Sequence, residues 1–483
     1  MNACFKRIGA ALCAAALALS LAACGGTQAA SSTNTAAQPV SITVWNYYNG
    51  DQLECFNKLV EEFNATVGKE QNITVTSESQ GSVNDLEANV LAAAEGKVGA
   101  AALPNVFSAY ADTCYAVDQM GLLADLSGYL TEEEKAAYLD SYLTEGDFDD
   151  NGSIKIFPVA KSTEILCLNE TDWEPFAEAT GASCDDLATM EGLVATAQKY
   201  YEWTDAQTAA PDDGKALFGR DAMANYLLIG AKELGESIFD VQQGRMTVEL
   251  SEQTARKLWD NYYVPFVKGW FAAIGRFRSD DIKTGNILCY VGSSSSATFF
   301  PKQVMTSDTE SHDIRMKALP CPTFADGSSV CVQQGAGMAV TNGSEAEVKA
   351  SVAFLKWMTQ PEQNIRFAVG SGYLPVTHAA NDMEAIEASG LEMTDAVRDI
   401  LTIATDEVEN NELYTTKAFA GGAAARKVLE YDLSDKAAAD RAAVEQRIAA
   451  GESAADAQAE FLTDEAFAAW YQGLLGQLKA YEG

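Results

Sequence analysis

Two histidines are all that this 483-residue chain carries. His312 and His378 have no Cys/His ligand spacing around them, which leaves zinc chemistry and histidine-based acid–base catalysis poorly supplied. Basic residues are scarce too. With 33 Lys and Arg against 69 Asp and Glu the net charge is −36, a field that repels nucleic acid and anionic lipid headgroups at long range. A phosphate-cradling Gly-Lys-Ser/Thr loop is missing. The run Gly292-Ser293-Ser294-Ser295-Ser296 lacks the closing glycine of a nucleophile elbow. Carboxylate pairs of the kind a glycosidase uses are so plentiful among 69 acids that they discriminate nothing. No tandem repeat stands out.

Disulfide chemistry has little to work with. Of ten cysteines, Cys4, Cys13 and Cys24 lie at the N-terminus; the other seven are scattered, odd in number and without a Cys-x-x-Cys pair. They read as small buried apolar residues, with Cys321 and Cys331 the one pair close enough in sequence to bridge across a short loop. The N-terminus itself is the most informative stretch. Lys6 and Arg7 precede an apolar run over 8–21, then Leu21-Ala22-Ala23-Cys24 and Gly25-Gly26. That is the layout of an export signal, too short for a bilayer span, which needs ~20 apolar residues. The segment around Cys24 resembles the bacterial lipobox, whose thiol is lipidated and becomes the mature N-terminus. Residues 1–23 are then a signal peptide and 24–40 a flexible lipid-anchored tether, polar and poor in apolar residues. As a coil such a tether reaches on the order of 20 Å. The folded body is expected on the outer face of the cell membrane, held there by lipid alone.

Beyond the tether the chain reads as strand, helix, strand, helix, strand: Ser41-Ile42-Thr43-Val44-Trp45, then a helix over 52–64 with Leu53, Phe56, Val60 and Phe63 on one stripe, then 73–76, a helix over 83–95, and a strand opening at Pro104. This order specifies a parallel sheet with right-handed crossovers. Ligands sit outside the carboxyl ends of such strands, which places Tyr47-Tyr48, Gln80-Gly81-Ser82 and Tyr110-Ala111-Asp112 on one rim. Thr131 to Glu134 is a capping box for a helix carrying to Tyr142. Asp147, Asp149, Asn151 and Gly152 have early calcium-loop spacing, but Pro158 stands where the bidentate Glu belongs, so Asn151-Gly152 reads as a tight hairpin turn with a strand from Ile154. Lys161-Ser162-Thr163-Glu164, a polar quartet inside a strand-like run, suggests either a crossing between lobes where side chains meet a ligand or a solvated edge strand. Residues 258–271 are aromatic-rich, with Trp270 the ring assigned to a cleft. A strand over 287–291 leads into Gly292-Ser293-Ser294-Ser295-Ser296, whose hydroxyls and free N–H groups suit an oxygen-rich ligand or simply cap the next helix. Residues 333–340 read as one strand carrying Gly335 and Gly337, Ser344 to Glu347 as a second capping box, and Phe467, Trp470, Leu474 and Leu478 as one face of a terminal helix.

This order of elements resembles the extracellular solute-binding proteins of family 1, the lipoprotein receptors of ATP-binding cassette sugar importers of maltose and glycerol-3-phosphate type. The matching pieces are Ile42-Thr43-Val44-Trp45 with Gly50, Glu62-Phe63-Asn64, Phe157-Pro158 with Ser162 and Asn169, the segment 292–296, Gly335-Ala336-Gly337, and above all Gly372-Tyr373-Leu374-Pro375-Val376. The resemblance implies an α/β, periplasmic-binding-protein-like type II fold of two lobes. Each lobe is a mixed, mainly parallel sheet flanked by helices, with the ligand cleft between them. Lobe 1 is expected over 41–160 and 318–370, lobe 2 over 161–317 and 371–483. It implies that Ser162, Ser293, Ser294, Gly335 and Tyr373 line the cleft. To these the reading of the residues adds Tyr47, Tyr48, Asp112, Glu164 and Trp270, since sugars present apolar faces and many hydroxyls.

Two departures bear on the solute. Gln80-Gly81-Ser82-Val83 stands where such receptors place a Tyr after Lys-Gly. No Arg occurs over 417–425, where the phosphate-binding Arg is placed, and the first is Arg426. A neutral oligosaccharide is therefore expected over a glycerol phosphate. The expectation is a monomeric binding protein, with a carbohydrate ligand and membrane permease subunits as partners. It includes no catalysis, cofactor, metal or nucleic acid. An exported carbohydrate-active enzyme and a lipid-tethered surface interaction protein are the rivals.

Overall fold

The structure, a computed structural model, describes residues 38–483 apart from 243, 306 and 308. The export signal and the lipobox at Cys24 lie outside the described residues. Among the described residues the strands are, in order, β1 (Val40–Asn46), β2 (Ile73–Ser79), β3 (Val106–Ala109), β4 (Glu164–Asn169), β5 (Phe218–Arg220), β6 (Phe239–Gln242), β7 (Arg245–Val248), β8 (Cys289–Ser293), β9 (Gln303–Met305), β10 (Ser311–Asp313), β11 (Met316–Pro320), β12 (Val330–Val332), β13 (Gly337–Val340) and β14 (Glu412–Tyr414).

The first sheet runs β13-β3-β1-β2. β1 pairs in parallel with β2 and β3, and β13 closes the edge antiparallel to β3. On β2 the alternation that a half-buried strand requires is plain: Ile73 and Val75 are buried while Thr74 and Thr76 face water. The helix Gly50–Ala65 lays Phe56, Leu59, Val60 and Phe63 on this sheet. Phe63 meets Phe354 and Trp357 edge-on across the helix Glu345–Met358, whose predicted capping box at Ser344 and Glu347 is present.

The second sheet runs β11-β4-β8-β5. Here the parallel pairing expected of both sheets is the minority. β4 pairs antiparallel with β11 and β8, and β5 with β8 is the parallel pair. β4 is fed by an extended crossing rather than by a crossover helix, so nothing obliges it to run parallel to its neighbours. All six β4 residues are buried, and the two-residue period sorts them. Ile165 and Cys167 pack with the core around the first sheet, whereas Leu166 and Leu168 join a second core. That second core holds Phe176, Tyr226, Leu258, Trp259, Tyr262 and the predicted terminal-helix face of Phe467, Trp470, Leu474 and Leu478. Side chains over 373–408 pack into the first core, and from Phe419 onward the chain belongs to the second.

Three local expectations are corrected. The capping box at Thr131 and Glu134 forms, but it starts only the short helix Glu132–Lys135, and a separate helix spans Asp140–Thr144. Asn151-Gly152 is not a hairpin: the Asp147 carboxylate accepts the Asn151 and Gly152 N–H groups at 3.0 and 2.9 Å, and the chain beyond is extended with one bridge, Phe157 to Met338. Side-chain hydrogen bonding of this kind offers the backbone an alternative to a ladder. Residues 333–340 are not one strand, because Gly335 at φ +88° breaks the run between β12 and β13. The seven cysteines among the described residues are free thiols, Cys321 and Cys331 included.

Candidate functional site

The crossing expected at Lys161-Ser162-Thr163-Glu164 is where the two cores meet, and it is closed to the surface. Every member of the quartet is buried. Backbone bridges fix it on both sides: Lys161 N–H to Leu374 O at 3.1 Å, and Ser162 N–H to Gln334 O with the reciprocal bond, both 2.9 Å. The Lys161 ammonium is paired with Glu145 and donates to the Gly335 carbonyl at 2.9 Å. Gly335 is required here, since a Cβ would stand 2.9 Å from Ala160 O. Glu164 is paired with Arg220 and accepts from Asn225 Nδ2 at 2.8 Å. Burial pushes the Glu164 carboxyl up, and Arg220 and Asn225 hold it back. Breaking such a buried pair from one side costs about 3–5 kcal/mol.

Around this crossing the structure gathers most of the residues expected at the cleft. Tyr47 and Tyr373 touch hydroxyl to hydroxyl at 3.0 Å, and the Tyr48 ring sits behind them at 5.2 Å from both Phe56 and Phe367. Ser293 lies opposite Glu164 in the β4–β8 register and its hydroxyl meets that of Ser295 at 3.0 Å. The Ser294 N–H donates to Thr163 O at 2.8 Å, while its buried hydroxyl has no partner. Trp270 stands apart. It packs against the second core at the end of the helix Glu252–Val267, with the Lys268 ammonium 4.5 Å from its ring centre.

Beside the crossing lies a cavity of about 350 Å³ walled by both cores. Glu87, Tyr110 and Asp112 come from the first, Asn225 and Leu228 from the second, and Arg426 from the long helix Gly422–Ala449. Of the ten residues named from sequence, Asp112 alone lines it. The others form the packed seam behind its wall, Trp270 excepted. A second, larger cavity of about 980 Å³ is lined by Asn49, Asp221, Phe277, Tyr290, Lys283 and Phe299, among others.

Asp112 makes no hydrogen bond or close ion pair among the described residues. Burial raises its pKa to about 6, Arg426 pulling it down and Glu87 pushing it up. Arg426 donates to Asn225 Oδ1, so Glu164, Asn225 and Arg426 form a relay from the crossing to the cavity wall. Asn225 is fully buried on the apolar helix Met223–Glu233, delivered there by a turn in which Ala222 adopts the left-handed region at φ 49°. That conformation costs a non-glycine residue about 1–2 kcal/mol. Buried oxygens without partners, Gln334 Oε1 and Thr416 Oγ1, belong to residues of the same lining. The surface is rich in hydrogen-bonding groups and rings. It suits a polar solute with hydroxyls to donate and apolar faces to stack.

Sequence reasoning missed Asn225, Glu87 and Arg426 as wall residues. For Asn225 the signal was a lone amide inside Met-Ala-Asn-Tyr-Leu-Leu-Ile, a position where an apolar helix would not place one without a partner. For Arg426 it was Gly421-Gly422 ahead of an Ala-rich helix, with the basic residue one turn in.

A family model described as bacterial extracellular solute-binding protein matches residues 58–394. Among curated proteins no sequence match is found. Solved structures resemble the chain closely in shape. The cyclic α-maltosyl-1,6-maltose binding protein of Arthrobacter globiformis superposes with a TM-score of 0.65 at 17% identity, over 92% of this chain and 100% of its own. UgpB of Mycobacterium tuberculosis, in complex with glycerophosphocholine, gives 0.64 at 19% over 91% and 98%. The GacH receptor of Streptomyces glaucescens, solved unliganded and with acarbose, gives 0.64 at 16% over 92% and 100%. These likenesses establish the two-lobed α/β fold, and with a family match over well more than half of its length the chain belongs to the bacterial extracellular solute-binding proteins.

Proposed function

We propose that this protein is the extracytoplasmic receptor of an ATP-binding cassette importer, capturing a carbohydrate between two lobes and delivering it unaltered to membrane permease subunits. One observation carries the reading: a polar, ring-lined cavity walled by two separate hydrophobic cores that the chain joins through a buried crossing at Lys161 to Glu164. Lobe 1 centres on the sheet of β1, β2, β3 and β13, lobe 2 on that of β4, β5, β8 and β11. Ligand favours the closed arrangement because only there does it touch both walls. The solute is a neutral oligosaccharide, a reading supported by the cyclic α-maltosyl-1,6-maltose and acarbose named for two of the similar structures, whereas a third is named with glycerophosphocholine. Cys24 carries the lipid anchor, and the body works as a monomer at the outer face of the membrane. Tyr47, Tyr48, Ser162, Glu164, Ser293, Ser294, Gly335 and Tyr373 shape the seam, while Asp112 touches the solute; Trp270 lies outside this arrangement.

The test is a thermal-shift screen of the purified mature protein against a glycan panel, with mass spectrometry of the recovered glycan. A ligand at hundredfold excess over its dissociation constant adds about 2.7 kcal/mol of stability, and the glycan comes back intact. Turnover of the glycan would favour the rival reading as an exported carbohydrate-active enzyme.

A further inference from the structure

The smaller cavity has a positive corner that a carboxylate of the protein already faces. The helix Gly422–Ala449 has 28 residues and begins at the cavity, with Gly422 and Arg426 both in the lining. The start of this helix carries a partial positive charge, its Gly422, Ala424 and Ala425 N–H groups being already given to Phe419 O and Gly421 O, and Arg426 one turn later adds a full charge. Against this start lies the carboxylate of Asp112. Its Oδ1 approaches so closely that a Cβ on Gly422 would stand 2.4 Å away, an approach only glycine at that position allows. Arg426 attracts the Asp112 carboxylate. The remaining charges facing the cavity are Glu87, Glu145, Glu430 and Lys427. Lys161 neutralises Glu145, Lys427 acts on Glu87, and Glu430 accepts the Ala224 N–H at 2.9 Å. Among the described residues of the lining, Lys427, exposed and without a close ion pair, is the one cation outside these contacts, and it is outnumbered by the carboxylates around it.

Resting on the reading of this cavity as the solute site, we infer that Asp112 is a selectivity residue: a built-in counter-anion that occupies the helix start beside Gly422 and Arg426, so that the receptor rejects phosphate- and carboxylate-bearing solutes and accepts neutral or positively charged ones. With a neutral residue at 112, Arg426 and the helix start would face the cavity without a carboxylate between them. In this chain a phosphate would have to displace a carboxylate and then sit beside Glu87 and Glu430, all of the same sign.

Sulfate is the probe, because its charge does not change between pH 5 and 8. Titration calorimetry compares the mature protein with Asp112→Asn and Asp112→Ala, and with Glu445→Gln, an exposed charge toward the far end of the same helix. Both Asp112 variants are expected to bind sulfate at least about tenfold more tightly than the parent, a gain of about 1.4 kcal/mol, while Glu445→Gln matches the parent. In the parent, sulfate affinity rises as pH falls through about 6, where Asp112 takes up its proton, and in Asp112→Asn that step is absent. Parent binding as tight as that of Asp112→Asn, or equal gains in the Glu445 control, would overturn the inference. Neutral-glycan binding is measured in parallel. Its failure alongside a sulfate gain strikes the carbohydrate reading and leaves the role of Asp112 standing.

Discussion

At the scale of single residues, Asn225 is the most exposed to test although it is the most hidden from solvent. Its amide nitrogen serves Glu164 and its oxygen serves Arg426, so no other side chain satisfies both. Asn225→Ala leaves two charged groups without their shared partner. Loss of a hydrogen bond to a charged group costs about 1.5–3 kcal/mol, and solute affinity measured by calorimetry is expected to fall by about tenfold or more. Asn225→Asp should instead hold Arg426 and repel Glu164, lowering stability first. The acids have their own signature. Burial raises the pKa of Glu233 to about 8 and that of Glu407 to about 7, the Phe324 N–H at 2.9 Å holding Glu233 partly down. A carboxyl whose folded pKa lies above its unfolded value costs stability once the unfolded chain ionises, so the contribution is intact below the unfolded value of 4.5 and is lost progressively as pH rises to the folded values of about 7 and 8. The melting temperature is therefore expected to fall between about pH 5 and 8 and to level off above, and Glu233→Gln to remove the part of that fall between pH 7 and 8.

At the scale of elements, the crossing is a rigid seam and not a loose linker. Lys161 and Ser162 are bridged on both sides, and Gly335 must be glycine both for its φ of +88° and for the 2.9 Å approach to Ala160 O. Gly335→Ala is expected to lose about 2 kcal/mol or more in denaturant unfolding, the sum of left-handed strain and overpacking. The same seam shows what sequence does and does not disclose. Strands β1 and β2, the helix Gly50–Ala65 and the capped helix Glu345–Met358 were legible because their signals are local: period-two alternation, a 3.6-residue stripe, a Ser-to-Glu box. The quartet at 161–164 was legible as unusual, since polar residues inside a strand-like run need partners. Who those partners are was not legible. Gln334, Leu374, Glu145, Arg220 and Asn225 lie up to 200 residues or so away, and only the folded chain brings them in. For the same reason the hairpin expected at Asn151 gave way to a loop organised by Asp147, a competition between side-chain and ladder hydrogen bonds that pattern alone does not decide. The sheet of β4, β5, β8 and β11 was read with too much parallel pairing because helices and strands alternate along its sequence without each helix serving as a crossover.

At the scale of the whole molecule, a charge of −36 on a body with buried, elevated carboxyl groups makes self-repulsion part of the energy balance. Added salt screens exposed charges over about 10 Å at 0.1 M, so stability at pH 7.5 should rise with ionic strength. Two cores joined through the buried seam at 161–164 and by further passes of the chain before β13 and after Val408, with a polar cavity between their walls, form a body in which, on the proposed reading, a small rotation would change the exposure of that cavity without disturbing either core. The account rests on that division of labour. Small-angle X-ray scattering of the purified mature protein, with and without a glycan that raises its melting temperature, tests it most directly. The account predicts that the glycan contracts the radius of gyration and leaves both sheets' secondary-structure signal unchanged; an identical scattering curve with saturating glycan bound would contradict it.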